Sequence, residues 1–145
     1  MTASTVTHRP QAPVRSADAT DPAYQALLLL RLGFTVAPIL FGLDKFAGVL
    51  TDWTQYLAPQ ISDRLPGSPT QIMYVVGAIE IVAGLVVAVR PRFGGYLVAA
   101  WLGGIITNLL LIGGFGDIAL RDFALLLSAL TLTRLAAAFG SPFLR

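Results

Sequence analysis

Four long apolar segments constrain what this chain can fold into more than any other feature of its sequence. They lie at about 24–43, 72–89, 93–113 and 118–139, and each is close to the ~20 residues with which a helix crosses a bilayer. In lipid, only helices or a closed barrel can bond all of their backbone polar groups. Runs such as ALLLL and IEIVAGLVVAV lack the alternation of barrel strands. The sequence therefore predicts an all-α integral membrane protein, a bundle of four transmembrane helices.

The segments around these helices define the domain organisation. Residues 1–22 form a polar tail that we expect to be disordered, and 141–145 form a second short tail. Between them, 23–140 make one four-helix domain, in which 44–71 is an outer interfacial loop. Apolar residues recur at helical spacing from Phe46 to Leu57, which predicts a short amphipathic helix within that loop.

Arginine placement predicts the orientation in the membrane. If the N-terminus is inside, the cytoplasmic segments carry Arg9, Arg15, Arg90, Arg92 and Arg145, and the outer loops carry Lys45, Arg64, Arg121 and five aspartates. Lys and Arg accumulate in short cytoplasmic loops. Both termini are therefore predicted to be cytoplasmic, in a multi-pass membrane protein.

The composition excludes several classes of function. Charged residues make up only 12% of the chain, about half of the roughly 25% in soluble domains. The chain has no cysteine, so it has no disulfide or thiolate metal site of its own. The only histidine, His8, lies in the polar tail, which argues against a haem or other metal centre. The sequence has no cluster of Lys and Arg, so it does not predict nucleic-acid binding. We expect no intrinsic cofactor and favour a non-catalytic protein over an enzyme.

Glu80 is the only charged residue between Ile72 and Val89. Gly77 and Gly84 flank it on the same helix face. Because small residues mark where membrane helices approach closely, this face is expected to pack inside the bundle.

Arginines at similar depth are candidate partners for Glu80. Arg31 lies roughly 10 Å inside the first helix and Glu80 roughly 14 Å inside the second, counted from the cytoplasmic ends. These depths predict an ion pair between Glu80 and Arg31. Arg134, roughly 8 Å inside the fourth helix, either joins the pair or extends to the inner headgroups. The pair is a relay, a contact for a quinone or other ligand, or a structural link between helices; its one-to-one stoichiometry favours the structural interpretation.

A second group of polar residues lies near the outer face. Its members are Asp44, Lys45, Asn108, Asp117, Arg121 and Asp122. Asp117 suits the N-terminus of a helix, where a carboxylate can cap and the dipole is positive. The group is therefore either a set of caps and interface anchors or a polar mouth that binds a headgroup or small solute. Asn108 discriminates between them, because capping does not explain an amide inside a helix.

Small residues on the third helix predict close helix packing, either within the chain or with another subunit. The stripe consists of Gly95, Ala99, Gly103 and Thr107. On the fourth helix, the predicted inward face consists of Ala124, Ser128 and Thr131.

Four segments together resemble the DoxX-like family of small bacterial four-helix membrane proteins. They are L-L-R-L-G-F at 29–34, F-G-L-D-K-F at 41–46, V-G-A-I-E-I-V-A-G-L at 76–85 and L-R-D-F-A-L-L-L-S-A-L at 120–130. The resemblance covers residues 27–139, with one departure at Phe41, where a histidine often stands in the family. It implies the four-helix fold, a plasma-membrane setting, and association with quinol-oxidase, thiosulfate:quinone or thiol-handling assemblies.

Two functional hypotheses follow, with a third of lower rank. The first is an accessory membrane subunit of a respiratory or redox complex, without a redox centre of its own, that docks through the third helix. The second is a protein that binds or transports a quinone or small solute through Arg31, Glu80 and Asn108. The third is a structural membrane organiser that associates with itself. Membrane lipid, a bound quinone and other subunits are the expected partners, and nucleic acid is not.

Overall fold

The computed structural model describes residue 15 and residues 17–140; the predicted tails therefore lie largely outside the described residues. The chain forms α1 (Pro22–Ala47), a 3₁₀ helix (Trp53–Tyr56), a short α2 (Pro59–Ser62), α3 (Pro69–Val89), α4 (Pro91–Ile112) and α5 (Gly116–Phe139). The described part of the chain contains no strand. The helices α1, α3, α4 and α5 are long and apolar enough to cross a membrane. The prediction of a four-helix membrane protein is confirmed at this level.

Proline, serine and glycine set the ends of the long helices. Pro22, Pro69 and Pro91 each stand at the first helical position, where the missing N–H costs nothing. Ser68 and Gln71 form a reciprocal capping box before α3. Gly48 ends α1 in the left-handed region, at a φ of 63°.

The four long helices pack as two closely associated pairs, α1 along α3 and α4 along α5. Contacts of α3 with α4 and of α1 with α5 join the pairs. Leu132, Val87 and Ala129 are fully buried between them. Large apolar side chains cover the outside; Leu29, for example, is 70% exposed. Such a surface suits a lipid environment, because soluble monomers rarely expose large continuous apolar patches.

Glycines allow α1 and α3 to approach through their backbones. A Cβ at Gly77 would lie 2.7 Å from the carbonyl oxygen of Gly42. One at Gly84 would lie 2.7 Å from the carbonyl oxygen of Thr35. Both distances are too short for a side chain, so these positions require glycine. The close contact brings the last turns of α1 against the middle of α3.

The small-residue stripe of α4 faces α5 within the same chain. A Cβ at Gly95 would lie 2.8 Å from the carbonyl oxygen of Ala129, and Ala99 is buried. Gly103 is less tightly packed, with only the Leu126 side chain 3.9 Å from its Cβ position. At least the Gly95 end of the stripe is therefore occupied by an intramolecular contact.

Two details of the predicted fold are wrong. The residues from Phe46 to Leu57 do not form one amphipathic helix, because α1 continues through Phe46 and ends at Gly48. On α5, Ala124 and Thr131 are exposed. The Thr131 hydroxyl donates to the carbonyl oxygen of Leu127 on its own helix, which satisfies it without a partner helix. The inward residues of α5 are instead Ala119, Ala129, Leu132, Thr133, Ala136 and Phe139.

Candidate functional site

Lys45 and Glu80 form a buried ion pair between α1 and α3. The Nζ of Lys45 lies 2.6 Å from Oε2 of Glu80, and the two side chains are only 4% and 10% exposed. Gly77 lies one turn before Glu80, and its Cβ position is 3.1 Å from the Cβ of Lys45. The glycine contact between the helices therefore positions the pair.

Arg31 is not the partner of Glu80, so the predicted pair is wrong. The guanidinium of Arg31 instead donates to the carbonyl oxygen of Ala88, near the C-terminus of α3. Ala88 is eight residues from Glu80, which corresponds to roughly 12 Å along the helix. Arg134 does not join either; it is exposed and makes no hydrogen bond or ion pair within residues 17–140.

Asp44 fixes the loop that follows α1. Its carboxylate accepts hydrogen bonds from the backbone N–H groups of Val49 and Leu50, at 3.0 and 3.1 Å, and from Nε1 of Trp53 at 2.7 Å. The Trp53 ring in turn covers Lys45, whose Nζ lies 3.8 Å from the ring centroid. Asp44 thus holds the indole that shields the ion pair.

Asn108 binds the loop from the opposite side of the bundle. Its Oδ1 accepts from the N–H of Ala58 at 2.9 Å, and its Nδ2 donates to the carbonyl oxygen of Tyr56 at 2.5 Å. Ala58 is fully buried. The edge-to-face contact of Tyr56 with Phe115, at a centroid distance of 5.1 Å, extends the cover to the start of α5. The side-chain amide of Asn108, which lies within α4, is therefore the hydrogen-bond partner of two backbone groups of the loop.

Asp52 caps the 3₁₀ helix in this loop. Its carboxylate accepts from the hydroxyl of Thr54 at 2.6 Å and from the Thr54 N–H at 3.0 Å. These two hydrogen bonds, the hydroxyl first, hold the pKa of Asp52 below its ordinary value. The carboxylate thus remains charged and keeps its capping role.

Trp101 and Asp122 complete the site from α4 and α5. The Asp122 carboxyl is partly buried and within electrostatic reach of Glu80. The indole N–H of Trp101 also lies near Glu80, but it is buried and has no hydrogen-bond partner within the described ranges. We refer to Asp44, Lys45, Glu80, Trp101 and Asp122 as the polar cluster.

The polar cluster can hold or transfer a proton, or bind a polar group. It combines three carboxyl groups with a single amine, that of Lys45. Asp44 is bonded by the loop and Lys45 to Oε2 of Glu80, which leaves bonding capacity at the second oxygen of Glu80, the carboxyl of Asp122 and the indole N–H of Trp101. Buried polar groups are normally paired, so these three groups are the ones available to a proton or a polar ligand.

The remaining members of the predicted mouth lie outside the cluster. Asp117 and Arg121 form a 3.5 Å ion pair one turn apart on α5, with side chains 65% and 75% exposed. The N-cap position of α5 is Phe115, and Asp117 makes no capping bond. Asp117 still lies in the first turn, where a carboxylate suits the helix dipole. The structure therefore divides the six predicted residues into three that contact the loop, Asp44, Lys45 and Asn108, one near Glu80, Asp122, and two on the surface.

Two cavities lie away from the polar cluster. One, of about 30 Å³, is lined by residues that include Tyr24, Arg31 and Phe139 near the chain termini. It has room for about one or two waters, but not for a quinone. The other is an open groove of about 390 Å³ on the outer surface of α3.

Sequence reasoning missed the roles of Trp53 and Trp101. A tryptophan near the end of a membrane helix is expected at the interface, and nothing in the sequence marks either one as a neighbour of a buried charge. The comparisons of the chain with protein-family models, curated proteins and solved structures found no match.

We expect the substitution Asn108→Leu to release the loop. It leaves the buried N–H of Ala58 without an acceptor, at a cost of about 1–3 kcal/mol. Hydrogen exchange at Ala58 should therefore accelerate by about ten- to a hundredfold. Thr107→Val is the matched control, because the hydroxyl of Thr107 donates to the carbonyl oxygen of Gly103 on its own helix and bonds to no loop residue among those described. Unchanged exchange at Ala58 in the Asn108 variant would show that the amide does not hold the loop.

Proposed function

We propose that this chain is an accessory membrane subunit of a bacterial respiratory or redox complex, linked to quinone or thiol chemistry and without a redox centre of its own. The proposal rests on one observation: the polar groups inside the bundle bond to other groups of the same chain. Lys45 is bonded to Glu80, Asp44 to the loop, and Asn108 to Tyr56 and Ala58. Polar groups used in this way stabilise a rigid bundle rather than line a substrate path.

The redox setting comes from the resemblance to the DoxX-like family. Three of the four segments that carry it supply the charged members of the polar cluster. Asp44 and Lys45 belong to F-G-L-D-K-F, Glu80 to V-G-A-I-E-I-V-A-G-L, and Asp122 to L-R-D-F-A-L-L-L-S-A-L. Residues that are far apart in the sequence thus meet at one place in the bundle. This convergence supports treating these three segments as one structural signature.

The outer face of α4 is the best surface for docking a partner helix. Gly95 and Ala99 pack against α5, but Ala100 and Gly104 are exposed, and a Cβ at Gly104 would meet nothing within 4 Å. Small residues on an exposed membrane helix allow a second helix to approach closely. The docking role predicted for the third transmembrane helix is therefore assigned to this face.

Purification of the tagged chain from its own membranes in mild detergent, with quantitative mass spectrometry, tests the proposal. We expect subunits of one redox complex in a fixed ratio to the wild-type chain. The substitution Gly104→Leu should abolish the co-purification of those subunits. Gly33→Leu is the matched control, because Gly33 is also an exposed helical glycine with nothing within 4 Å of its Cβ position. A wild-type chain recovered without redox subunits would overturn the function, and a complex retained by Gly104→Leu would overturn the docking face.

A site for a quinone or other small solute is the second candidate. The buried indole N–H of Trp101, which lacks a partner among the described residues, favours a ligand with a hydrogen-bond acceptor. Such a site would use Trp101, Glu80 and Asp122 rather than the Glu80–Arg31 pair. Solvent extraction of the same purified samples distinguishes the candidates. A chain recovered alone with stoichiometric quinone, lost in Trp101→Phe, would favour the second.

The proposal includes cytoplasmic termini, for which the charge distribution is the support. The end of the bundle formed by the start of α1, the α3–α4 turn and the end of α5 has Arg15, Arg90, Arg92 and Arg134. The opposite end has most of the carboxylates. Since the chain has no cysteine, a single cysteine can report on each side. We expect Asp63→Cys to react with an impermeant maleimide in intact cells and Ala17→Cys to react only after lysis; the reverse pattern would contradict the orientation.

A further inference from the structure

An apolar groove, with one charged residue at its end, runs along the outer surface of α3. Its volume is about 390 Å³, and its lining consists of Val82, Leu85, Val86, Val89, Arg90 and Phe93. The aliphatic residues belong to one face of α3, and the Phe93 ring, 61% exposed, borders the groove from the start of α4. The aliphatic part, from Val82 to Val89, is roughly 10 Å long. A groove of this form suits a hydrocarbon chain aligned with the helix.

Arg90 lies at the end of this groove, where α3 stops. It is the single residue between Val89, the last residue of α3, and Pro91, the first of α4. It is exposed and makes no side-chain capping bond to α4. The first turn of α4 contains no acidic residue, and Arg92 adds a second positive charge beside the turn. The guanidinium of Arg90 therefore stands at the level where a membrane-spanning helix reaches the headgroups.

We infer that this groove is a binding site for an anionic phospholipid, with an acyl chain along Val82–Val89 and the phosphate at Arg90. The shape and charge agree with this ligand at both ends. The apolar wall matches an acyl chain, and a planar guanidinium binds phosphate oxygens in a bidentate manner. Within the described part of the chain, no acidic residue lines the groove, so these residues offer no partner for the cationic part of a zwitterionic headgroup. The ligand is therefore a lipid with net negative charge.

Native mass spectrometry of the full chain in neutral detergent tests this site. The probes are phosphatidylglycerol and phosphatidylcholine with identical acyl chains, titrated into the same preparation. We expect wild-type protein to bind phosphatidylglycerol more tightly, and Arg90→Gln to lose about fivefold of that affinity, the effect of one arginine at a membrane surface. Arg134→Gln is the matched control, because Arg134 is also exposed on a spanning helix but does not line the groove.

The hydrophobic half of the site has a separate test. Phe93→Ala removes the aromatic wall but keeps Arg90, so the affinities for both lipids should fall while the preference for phosphatidylglycerol remains. The Phe93 side chain is largely exposed, so this substitution should not unfold the bundle; circular dichroism of each variant checks that. Equal losses for Arg90→Gln and Arg134→Gln would indicate unspecific attraction and overturn the proposal, as would equal affinity of the wild type for the two lipids.

Discussion

Replacement of Lys45 by methionine is expected to lower the free energy of unfolding by about 3–5 kcal/mol, the usual cost of removing one partner from a buried ion pair. The substitution keeps the length of the side chain but leaves the Glu80 carboxylate buried without its amine. The Trp53 ring also loses the cation that it covers at 3.8 Å. Equilibrium unfolding in mixed micelles of dodecyl maltoside and sodium dodecyl sulfate, followed by tryptophan fluorescence and far-UV circular dichroism, measures the loss.

Arg121→Met is the matched control for this prediction. It also replaces a cation in an ion pair, but that pair is exposed and its distance is 3.5 Å. Exposed pairs contribute about 0–1 kcal/mol, so the control should remain close to the wild type. An equal effect of the two substitutions would show that burial of the Lys45–Glu80 pair has no energetic consequence.

The double variant Lys45→Met, Glu80→Met separates the cost of an unpaired charge from the value of the pair. Replacement of a buried ion pair by apolar side chains of similar volume is often neutral or stabilising. The double variant should therefore recover most of the stability that Lys45→Met loses. If it recovers stability but no longer co-purifies with the redox subunits proposed above, the ion pair serves assembly rather than folding.

The four helices could be predicted from the sequence because the constraint is one-dimensional. Each apolar segment must be about 20 residues long to cross the hydrocarbon core, and Pro22, Pro69 and Pro91 mark where three of the helices begin. None of these features depends on how the helices are arranged. The predicted boundaries consequently differ from the observed ones by a few residues only.

The partner of Glu80 could not be predicted from depth alone. The charges of Asp44 and Lys45 indicate the end of a helix, so the sequence predicts a first helix at 24–43 and places Lys45 in the loop. In the structure α1 continues to Ala47, because the loop N–H groups and Trp53 bond the Asp44 carboxylate. This extra turn places Lys45 inside the bundle. Three-dimensional contacts of the loop, which the sequence does not show, thus determine which residue pairs with Glu80.

The inward face of α5 also could not be predicted from the sequence, for a different reason. The inward face that the sequence predicts includes Ser128 and Thr131. Both donate to carbonyl oxygens one turn earlier on the same helix, so their polarity does not decide which face packs. Asn108, in contrast, was identified as unexplained by capping, and the structure shows it bonded to the loop. A side-chain amide, which has both donor and acceptor atoms to satisfy, is therefore a more informative signal than a hydroxyl group.

Gly84→Leu is expected to separate α1 from α3 and to be among the most destabilising single substitutions in the bundle. A Cβ at this position would lie 2.7 Å from the carbonyl oxygen of Thr35 and 2.8 Å from Cγ1 of Ile39. The Ile39 side chain can rotate, but the backbone of Thr35 can move only if the whole helix moves. Overpacking typically costs about 1–3 kcal/mol, and a backbone obstacle places this variant at about 3 kcal/mol or more.

The prediction has a control that uses the same substitution on the partner helix. Gly33→Leu adds the same side chain where the Cβ position has nothing within 4 Å, and it should stabilise α1 by about 0.5–1 kcal/mol because leucine is the better helix former. Unfolding in mixed micelles should therefore shift in opposite directions for the two variants. A Gly84→Leu protein as stable as Gly33→Leu would mean that α1 and α3 do not approach through their backbones. The position of Lys45 against Glu80 depends on that approach, so Gly84→Leu should also weaken the ion pair, and adding Lys45→Met to it should cost less than in the wild type.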